Sequence, residues 1–227
     1  MDREIYGRMR EVEDRHWWFR GRRGIVTQML EELGLPPNCA VLDAGCGTGG
    51  NLDLLSAFGP TTGMEADDEA LAFASERRGR AVVVKGHLPD GMPDFGHQFD
   101  LVVLLDVLEH IGPDSESLSA LRTVMKPGAF VLITVPAFAF LWSKHDELHH
   151  HKRRYVKSSL QRVIAGSPPV LTGGWAPALL AAVDQHREGA PMDDTLIVEI
   201  YRTISMDTDS GKSSATKAMR TREYIVV

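Results

Sequence analysis

The stretch "VLDAGCGTGG", from Val41 to Gly50, most limits what this chain can fold into. A short apolar strand that runs through a glycine turn into a helix opens an α/β unit, because bare backbone lets the three parts approach closely. The same alternation then repeats. "TTGMEA", "AVVVKG", "FDLVVLLDV" and "AFVLITV" are apolar strands, and "GNLDLLSAFG", "DDEALAFASERRG" and "DSESLSALRTVMKPG" are helices. Asp67 or Asp68 caps the second helix, Gly79 lies past its end, and the third reads as capped too. Strands that are apolar throughout belong in a sheet covered on both faces. The pattern predicts a doubly wound parallel sheet, which binds ligands at the carboxyl ends of its strands. Functional residues are therefore expected just after Leu42, Met64, Val84, Leu105 and Val135. Upstream, apolar residues recur at helical spacing from Glu4 to Leu33, and Gly34, Pro36 and Pro37 end that run.

Composition narrows the class. A chain of 227 residues has room for one sizeable α/β domain, with or without an appendage. A net charge of -6 speaks against a nucleic-acid backbone as partner. The charged N-terminus lacks the apolar core of a signal peptide, and the greasy stretch Ala129–Trp142 is too short to span a bilayer and is broken by Pro136. A cytoplasmic location is the expectation. Cys39 and Cys46 have no metal or disulfide spacing and read as buried, reduced thiols.

The glycine loop can be parsed in two ways. Gly45, Gly47 and Gly50 spell the G-x-G-x-x-G of a nicotinamide-dinucleotide site, whereas Asp43 with Gly45, Gly47 and Gly49 spells the loop of an S-adenosylmethionine enzyme. A pyrophosphate beside Asp43 would be repelled. The ammonium and sulfonium of S-adenosylmethionine would be attracted, with the loop N–H groups left to serve its carboxylate. Glu65 does not discriminate, since either cofactor has ribose hydroxyls for an acid after the second strand.

"VLDAGCGTG", "GMEADDEAL", "FDLVVLLDVLEHI" and "KPGAFVLITVP", in this order, resemble the class I S-adenosylmethionine-dependent methyltransferases over about Val41 to Tyr155. "HWWFRGRR" before them and "HDELHHHKRRY" after them resemble a bacterial small-molecule subgroup, with relatives of the quinone-biosynthesis type and others encoded beside glycan-assembly genes. The resemblance implies a Rossmann-like, mostly parallel seven-stranded sheet with helices on both faces, its C-terminal strands left open. It divides the chain into a helical cap (1–37), a cofactor domain (38–166), an atypical segment that could close the sheet (167–205) and a disordered tail (206–227). It implies S-adenosyl-L-methionine as cofactor and S-adenosylhomocysteine as product. Asp43, Gly45, Gly47 and Gly49 would hold the methionyl end, and Glu65 the ribose. Met64, Ala66, His87 and Leu88 would line the adenine slot, although His87 stands where the family often has an acid. Leu105, Asp106 and Val107 would floor the cleft beneath the sulfonium. His110 is the candidate base, with packing or a backbone bond as its alternative.

The acceptor side reads less sharply. Three consecutive histidines cannot all point one way, so no metal site is expected of them. In the resembling subgroup the matching residues are His145, Asp146, His151, Arg153, Arg154 and Tyr155. The two arginines could grip an anionic acceptor or pin the loop to nearby acids. Trp18, with Trp17 and Phe19, could roof an apolar or lipid-linked acceptor, as could Phe138, Phe140 and Trp142, or these aromatics could fasten a helix to the core. Contact with a membrane surface rests only on that greasiness. The expected reaction is methyl transfer to a small-molecule or lipid- or glycan-linked acceptor, at oxygen. Two rival readings are a domain that binds S-adenosylmethionine without turnover and a nicotinamide oxidoreductase.

The family pattern stops near Gly166. "PALLAAVDQH" reads as a helix and "DDTLIVEIYRTI" as a closing strand, with Asp193 and Asp194 in a turn. "GAPMDDTLIVEIYR" is similar to the closing segment of metal-dependent serine/threonine phosphatases, without their remaining carboxylates. A fusion or a shifted reading frame would account for this ending.

Overall fold

Along β4 (Phe99–Leu105) side chains alternate between two apolar layers, as a pleated strand requires. Val102 and Leu104 enter one buried cluster, with Leu118, Leu121, Leu160 and Ile164. Leu101, Val103 and Leu105 enter the other, with Val26, Met29, Leu30 and Leu55. Each fully buried Leu or Val contributes about 1.5–3 kcal/mol over its exposed state, so helices are drawn to both faces. The computed structural model describes residues 3–166, 175–183 and 196–203.

β1 (Val41–Ala44), β2 (Thr61–Glu65), β3 (Val82–Lys85), β4 and β5 (Met125–Pro136) run parallel in the order β3-β2-β1-β4-β5. The chain builds outward from β1 to β3, then returns to place β4 on the other side of β1. That reversal opens a crevice at the carboxyl ends of β1 and β4, as expected. β3 is the edge strand, so its Val82 is exposed although its sequence is as apolar as the others. Beyond β5, β7 (Leu196–Thr203) pairs antiparallel with β5, and β6 (Trp175–Val183) pairs antiparallel with β7.

Four local expectations are corrected. The N-terminal run is two helices, α1 (Arg3–Val12) and α2 (Trp17–Glu32). His16 breaks it with an extended backbone, and its ring accepts the Trp18 N–H as the cap of α2. Residues 177–183 of the expected "PALLAAVDQH" helix lie in β6, because an apolar run this short fits either state and pairing with β7 decides it. The cap expected for α5 (Asp114–Thr123) does not form: Pro113 is the N-cap, and the Asp114 carboxylate reaches Arg153 and Tyr155 instead. β3, finally, is not covered on both faces. By contrast, α4 (Asp68–Arg77) is capped as expected, Asp67 accepting from the Glu69 and Ala70 N–H groups. α3 (Leu52–Ser56), α6 (Lys144–Leu148) and α7 (Lys157–Gly166) are the remaining α-helices among the described residues. The turn at Asp193 and Asp194 and the tail from residue 206 lie outside the described residues. No described helix is long and apolar enough to cross a membrane.

Candidate functional site

The carboxyl ends of the parallel strands open on a cavity of about 640 Å³, the size of a cofactor site. Gly45, Gly47, Met64, Glu65, Ala66, His87, Leu88, Leu105, Asp106, Val107 and His110 line it, with Trp18, His145, His151 and Arg154. Asp43, Gly49, Arg153 and Tyr155 do not. The loop after β1 explains part of that division. Gly45, at φ +91, lies so close to β4 that a Cβ would come within 2.7 Å of Val107. Gly49, at φ +83, faces α4 instead, where a Cβ would meet the Ala74 backbone at 3.0 Å. Gly49 is therefore a packing glycine, and Gly50 takes the place at the cavity wall.

The loop N–H groups are also not idle. Those of Gly45 and Cys46 donate to the Met64 carbonyl, and that of Gly49 to the Cys46 carbonyl. That of Gly47 donates to Glu65 Oε2 at 2.8 Å. Glu65 Oε1 accepts from the Ala66 and Asp67 N–H groups, so backbone aims this carboxylate from both sides. The loop thus gives its donors to β2 and Glu65 rather than holding them for a ligand's carboxylate.

A cation from α2 stands in the same cavity. Arg22 lines the cavity, pairs with Asp106 Oδ2 at 2.6 Å and donates to Thr134 Oγ1 at 2.9 Å. Thr134 in turn donates to Asp106 Oδ1 at 2.7 Å, and the Asp106 N–H donates back to Thr134. Asp106 sits at φ +58, a strained conformation of the kind that costs about 1–3 kcal/mol and collects at functional sites. Trp18 stands over Arg22 with its ring centroid 5.3 Å from the guanidinium carbon. The Arg22 Nε is enclosed without a hydrogen-bond partner. Sequence reasoning missed Arg22, although Trp18 and Arg22 are four apart on one face of a helix.

Asp43 is enclosed at the end of β1, and neither carboxylate oxygen has a hydrogen-bond partner. Burial raises its pKa to about 7, with Arg22 opposing and Glu65 adding to the rise. A fully buried carboxylate lacking donors calls for positive charge nearby. The ammonium and sulfonium of S-adenosylmethionine would supply it, acting on Asp43 through the loop rather than by contact. The residues present fit that cofactor.

α1 closes one flank. Glu13 is buried, accepts from Thr48 Oγ1 at 2.6 Å and pairs with Arg77, which also pairs with Asp14. Tyr6 and Met9 line the cavity beside it. None of these contacts was legible as a site.

The far end is built from the short 3₁₀ turn Leu108–His110 after β4 and the segment around α6. A capping box on Ser143 seats Asp146 at the start of α6. Arg154 grips Asp146 with Nε and Nη2, both at 2.8 Å, and its Nη1 donates to the Ala137 carbonyl. Arg153 bonds Asp114 and the Gly112 carbonyl, and the Tyr155 hydroxyl donates to Asp114 at 3.0 Å. These arginines thus pin the segment to acids, the second of the two roles the sequence allowed, while Arg154 also borders the cavity. Tyr155 is likewise a buried strut.

Burial would raise Asp146, but bonds from Arg154, the Ser143 N–H and His151 hold it at about 2. His151 Nδ1 lies 2.8 Å from Asp146 Oδ1, and its ring centroid is 4.7 Å from that of His110. His145 and His149 stack at 4.0 Å alongside, while His150 turns away at φ +56. Burial, then His151, lowers His110 to about 3, so its ring stays neutral. Burial also lowers His151, against the pull of Asp146. Glu109 is fully buried with neither carboxylate oxygen bonded, and burial, then Asp106, raises its pKa well above the usual range. Glu109, His110 and His151 bring ligand atoms within 4.8 Å of one another, a grouping the sequence did not suggest. Phe138 and Phe140 stack on each other at 5.5 Å, but with Trp142 they lie outside the cavity wall.

Residues 15–167 match the family described as methyltransferase domain. A "probable S-adenosylmethionine-dependent methyltransferase" of Mycolicibacterium smegmatis is 30% identical over 130 residues, 55% of this chain and 48% of that protein. The "ubiquinone biosynthesis O-methyltransferase" of Dinoroseobacter shibae is 29% identical over 96 residues, 40% of this chain and 39% of that protein. The chain thus spans about half the length, or less, of these relatives. The crystal structure of a Synechocystis magnesium protoporphyrin IX methyltransferase with bound S-adenosylhomocysteine superposes with a TM-score of 0.61. That likeness covers 82% of this chain and 83% of the other at 14% identity, and it speaks for the fold alone.

Proposed function

The chain belongs to the methyltransferase-domain family, and from that premise we propose that it moves a methyl group from S-adenosylmethionine to oxygen on a small-molecule or lipid- or glycan-linked acceptor. One observation carries the reading: a single cavity joins the Glu65 carboxylate, aimed by backbone N–H groups, to a cluster of histidines. When bound, S-adenosylmethionine supplies an activated methyl group together with its own leaving group.

Glu65 accepts from the ribose hydroxyls, while Met64, Ala66, His87 and Leu88 flank the adenine. Arg22 meets the methionyl carboxylate, and Asp43 balances the positive charge from behind the loop. Gly45 and Gly47 let the backbone approach. Leu105, Asp106 and Val107 form the floor, and Trp18 covers Arg22. The protein's chief task is alignment of donor and acceptor at attack distance. The acceptor oxygen faces His110 and His151, whose neutral rings present lone pairs. With Asp146 behind it, His151 is the better placed of the two to stabilise a proton taken from a hydroxyl. The Dinoroseobacter relative is an O-methyltransferase, which supports oxygen as the methylated atom.

Calorimetry with S-adenosylmethionine and S-adenosylhomocysteine, beside a methyl-release assay on hydroxylated aromatic and glycan acceptors, tests the reading. Micromolar binding with methyl release is the expected result. No binding of either nucleotide overturns it, and binding of NAD alone would favour the oxidoreductase.

A further inference from the structure

We propose that Glu109, His110 and His151 form a site for one divalent cation of the zinc class, opening on the acceptor end of the cavity. The three side chains offer one carboxylate oxygen and two ring nitrogens, and these lie within 4.8 Å of one another. Donors at three corners of a zinc tetrahedron stand about 3.3 Å apart, so side-chain adjustments of about 1 Å close the set. The ligands come from two stretches of chain, the turn after β4 and the segment after α6, which the Lys152 N–H joins by donating to the Glu109 carbonyl at 2.7 Å.

Two independent features point to a cation here. Glu109 is 0% exposed, and both of its oxygens lack any hydrogen-bond partner. A buried carboxylate in that condition is costly unless positive charge comes to it. His151, meanwhile, is prepared as a ligand. Its Nδ1 is engaged by Asp146 at 2.8 Å, which leaves Nε2 with its lone pair, and Arg154 holds that carboxylate in turn. An acid behind a histidine is the usual support of a metal-bound imidazole.

Ligand chemistry sets the metal class. Two imidazoles and a carboxylate suit Zn²⁺, Fe²⁺, Co²⁺ or Ni²⁺, whereas Mg²⁺ and Ca²⁺ prefer oxygen throughout. Three protein ligands leave a position open, as catalytic zinc sites do. A hydroxyl bound there would release its proton to water and present the oxygen for methylation. That last role rests on the methyl-transfer reading and replaces proton uptake by His110 and His151, whose lone pairs the cation would hold, but the cation site itself does not rest on it.

The test uses the full chain, stripped with a chelator and titrated separately with Zn²⁺ and Mg²⁺ by calorimetry. S-adenosylmethionine affinity is measured on the same samples as a check that the pocket is intact. Expected is one Zn²⁺ per chain, with Mg²⁺ about 100-fold weaker. Glu109→Gln and His151→Ala should each weaken Zn²⁺ by about tenfold or more, and His149→Ala by less than about threefold. Should His151→Ala fail to fold, His110→Ala carries the same expectation. Co²⁺ in place of zinc should give the visible absorption of a tetrahedral site, lost in Glu109→Gln. The proposal is overturned if the stripped chain takes up no zinc. Zinc binding that survives both Glu109→Gln and His151→Ala, or that falls equally in His149→Ala, also overturns it, the latter because the neighbouring histidines would then be the ligands. Zinc uptake without methyl release would sink the transfer reading alone, and methyl release without zinc uptake would sink the cation site alone.

Discussion

Asp43 and Asp146 lie at opposite ends of the cavity region, both enclosed, and the chain treats them in opposite ways. Asp146 receives two bonds from Arg154, one from the Ser143 N–H and one from His151. Asp43 receives none. One carboxyl is accordingly held at about 2 and the other is raised to about 7. A carboxylate that the fold satisfies is structural. One that it leaves unsatisfied asks for charge from outside; of this second kind, Glu109 lines the cavity and Asp43 lies behind the glycine loop that does. The contrast separates what holds the loops from what is kept ready for ligands.

Removing the satisfied acid should have the largest effect. Asp146→Ala takes the carboxylate away from the buried Arg154 guanidinium, and unfolding in denaturant should show a loss of about 3–5 kcal/mol. A loss below about 1 kcal/mol would erase the distinction. Asp43→Asn should do the reverse: folding stability is kept or gained, while the affinity for S-adenosylmethionine falls about tenfold, or about 1.4 kcal/mol, by calorimetry. If the variant unfolds instead, Asp43 belongs with Asp146.

Acid titration sharpens the same contrast. Folding raises Asp43 from 3.8 to about 7, so the folded state holds its proton more tightly than the unfolded chain does. Its contribution to stability is full below 3.8 and is lost as pH rises through about 7. Asp146, lowered to about 2, contributes above 3.8 and loses that contribution as pH falls through about 2. Denaturation midpoints taken across this range without cofactor should show a downward slope towards neutral pH that Asp43→Asn reduces, the remainder belonging to Glu109. An identical slope in the variant would contradict the assignment.

Smaller effects are expected from groups that share their load. Arg22→Lys keeps a charge beside Asp106 but loses the planar fork to Asp106 and Thr134, and should weaken S-adenosylmethionine by about threefold to tenfold. His87→Ala should change it by less than about threefold, because the ring is 59% exposed and its nearest acid, Asp90, is 3.6 Å away at the surface. A large loss in His87→Ala would restore that residue as a true adenine contact.

The parallel sheet was legible because apolar strands and capped helices alternate in a way few architectures permit, and Asp67 and Gly79 marked α4 to the residue. Its carboxyl-end loops were legible for the same reason, and most of the expected cofactor residues do border the cavity. What escaped was everything decided by distance in space. Gly49 reads like its neighbours Gly45 and Gly47, and only the approach of Ala74 reveals that it packs. For Arg153 and Arg154 the sequence offered both a ligand grip and a pin to acids, and only the positions of Asp114 and Asp146 show the pin. Glu13, Arg22 and Glu109 are charged residues in charged stretches, with nothing in the local sequence to separate a buried acid from a solvated one. The break at His16 was hidden because the apolar spacing continues across it. "PALLAAVDQH" was misread because short apolar runs carry no usable period.

The Arg22–Thr134 hydrogen bond joins residues 112 apart in sequence, and the Arg77–Glu13 pair spans 64. Contacts of such range form late, since a long stretch of chain must be brought together before they return anything. During synthesis α1 and α2 are made before their partners: Glu13 must wait for Arg77 of α4, and Arg22 for Asp106 and for Thr134 of β5. α2 therefore waits unsatisfied on the nascent chain until β5 has left the ribosome.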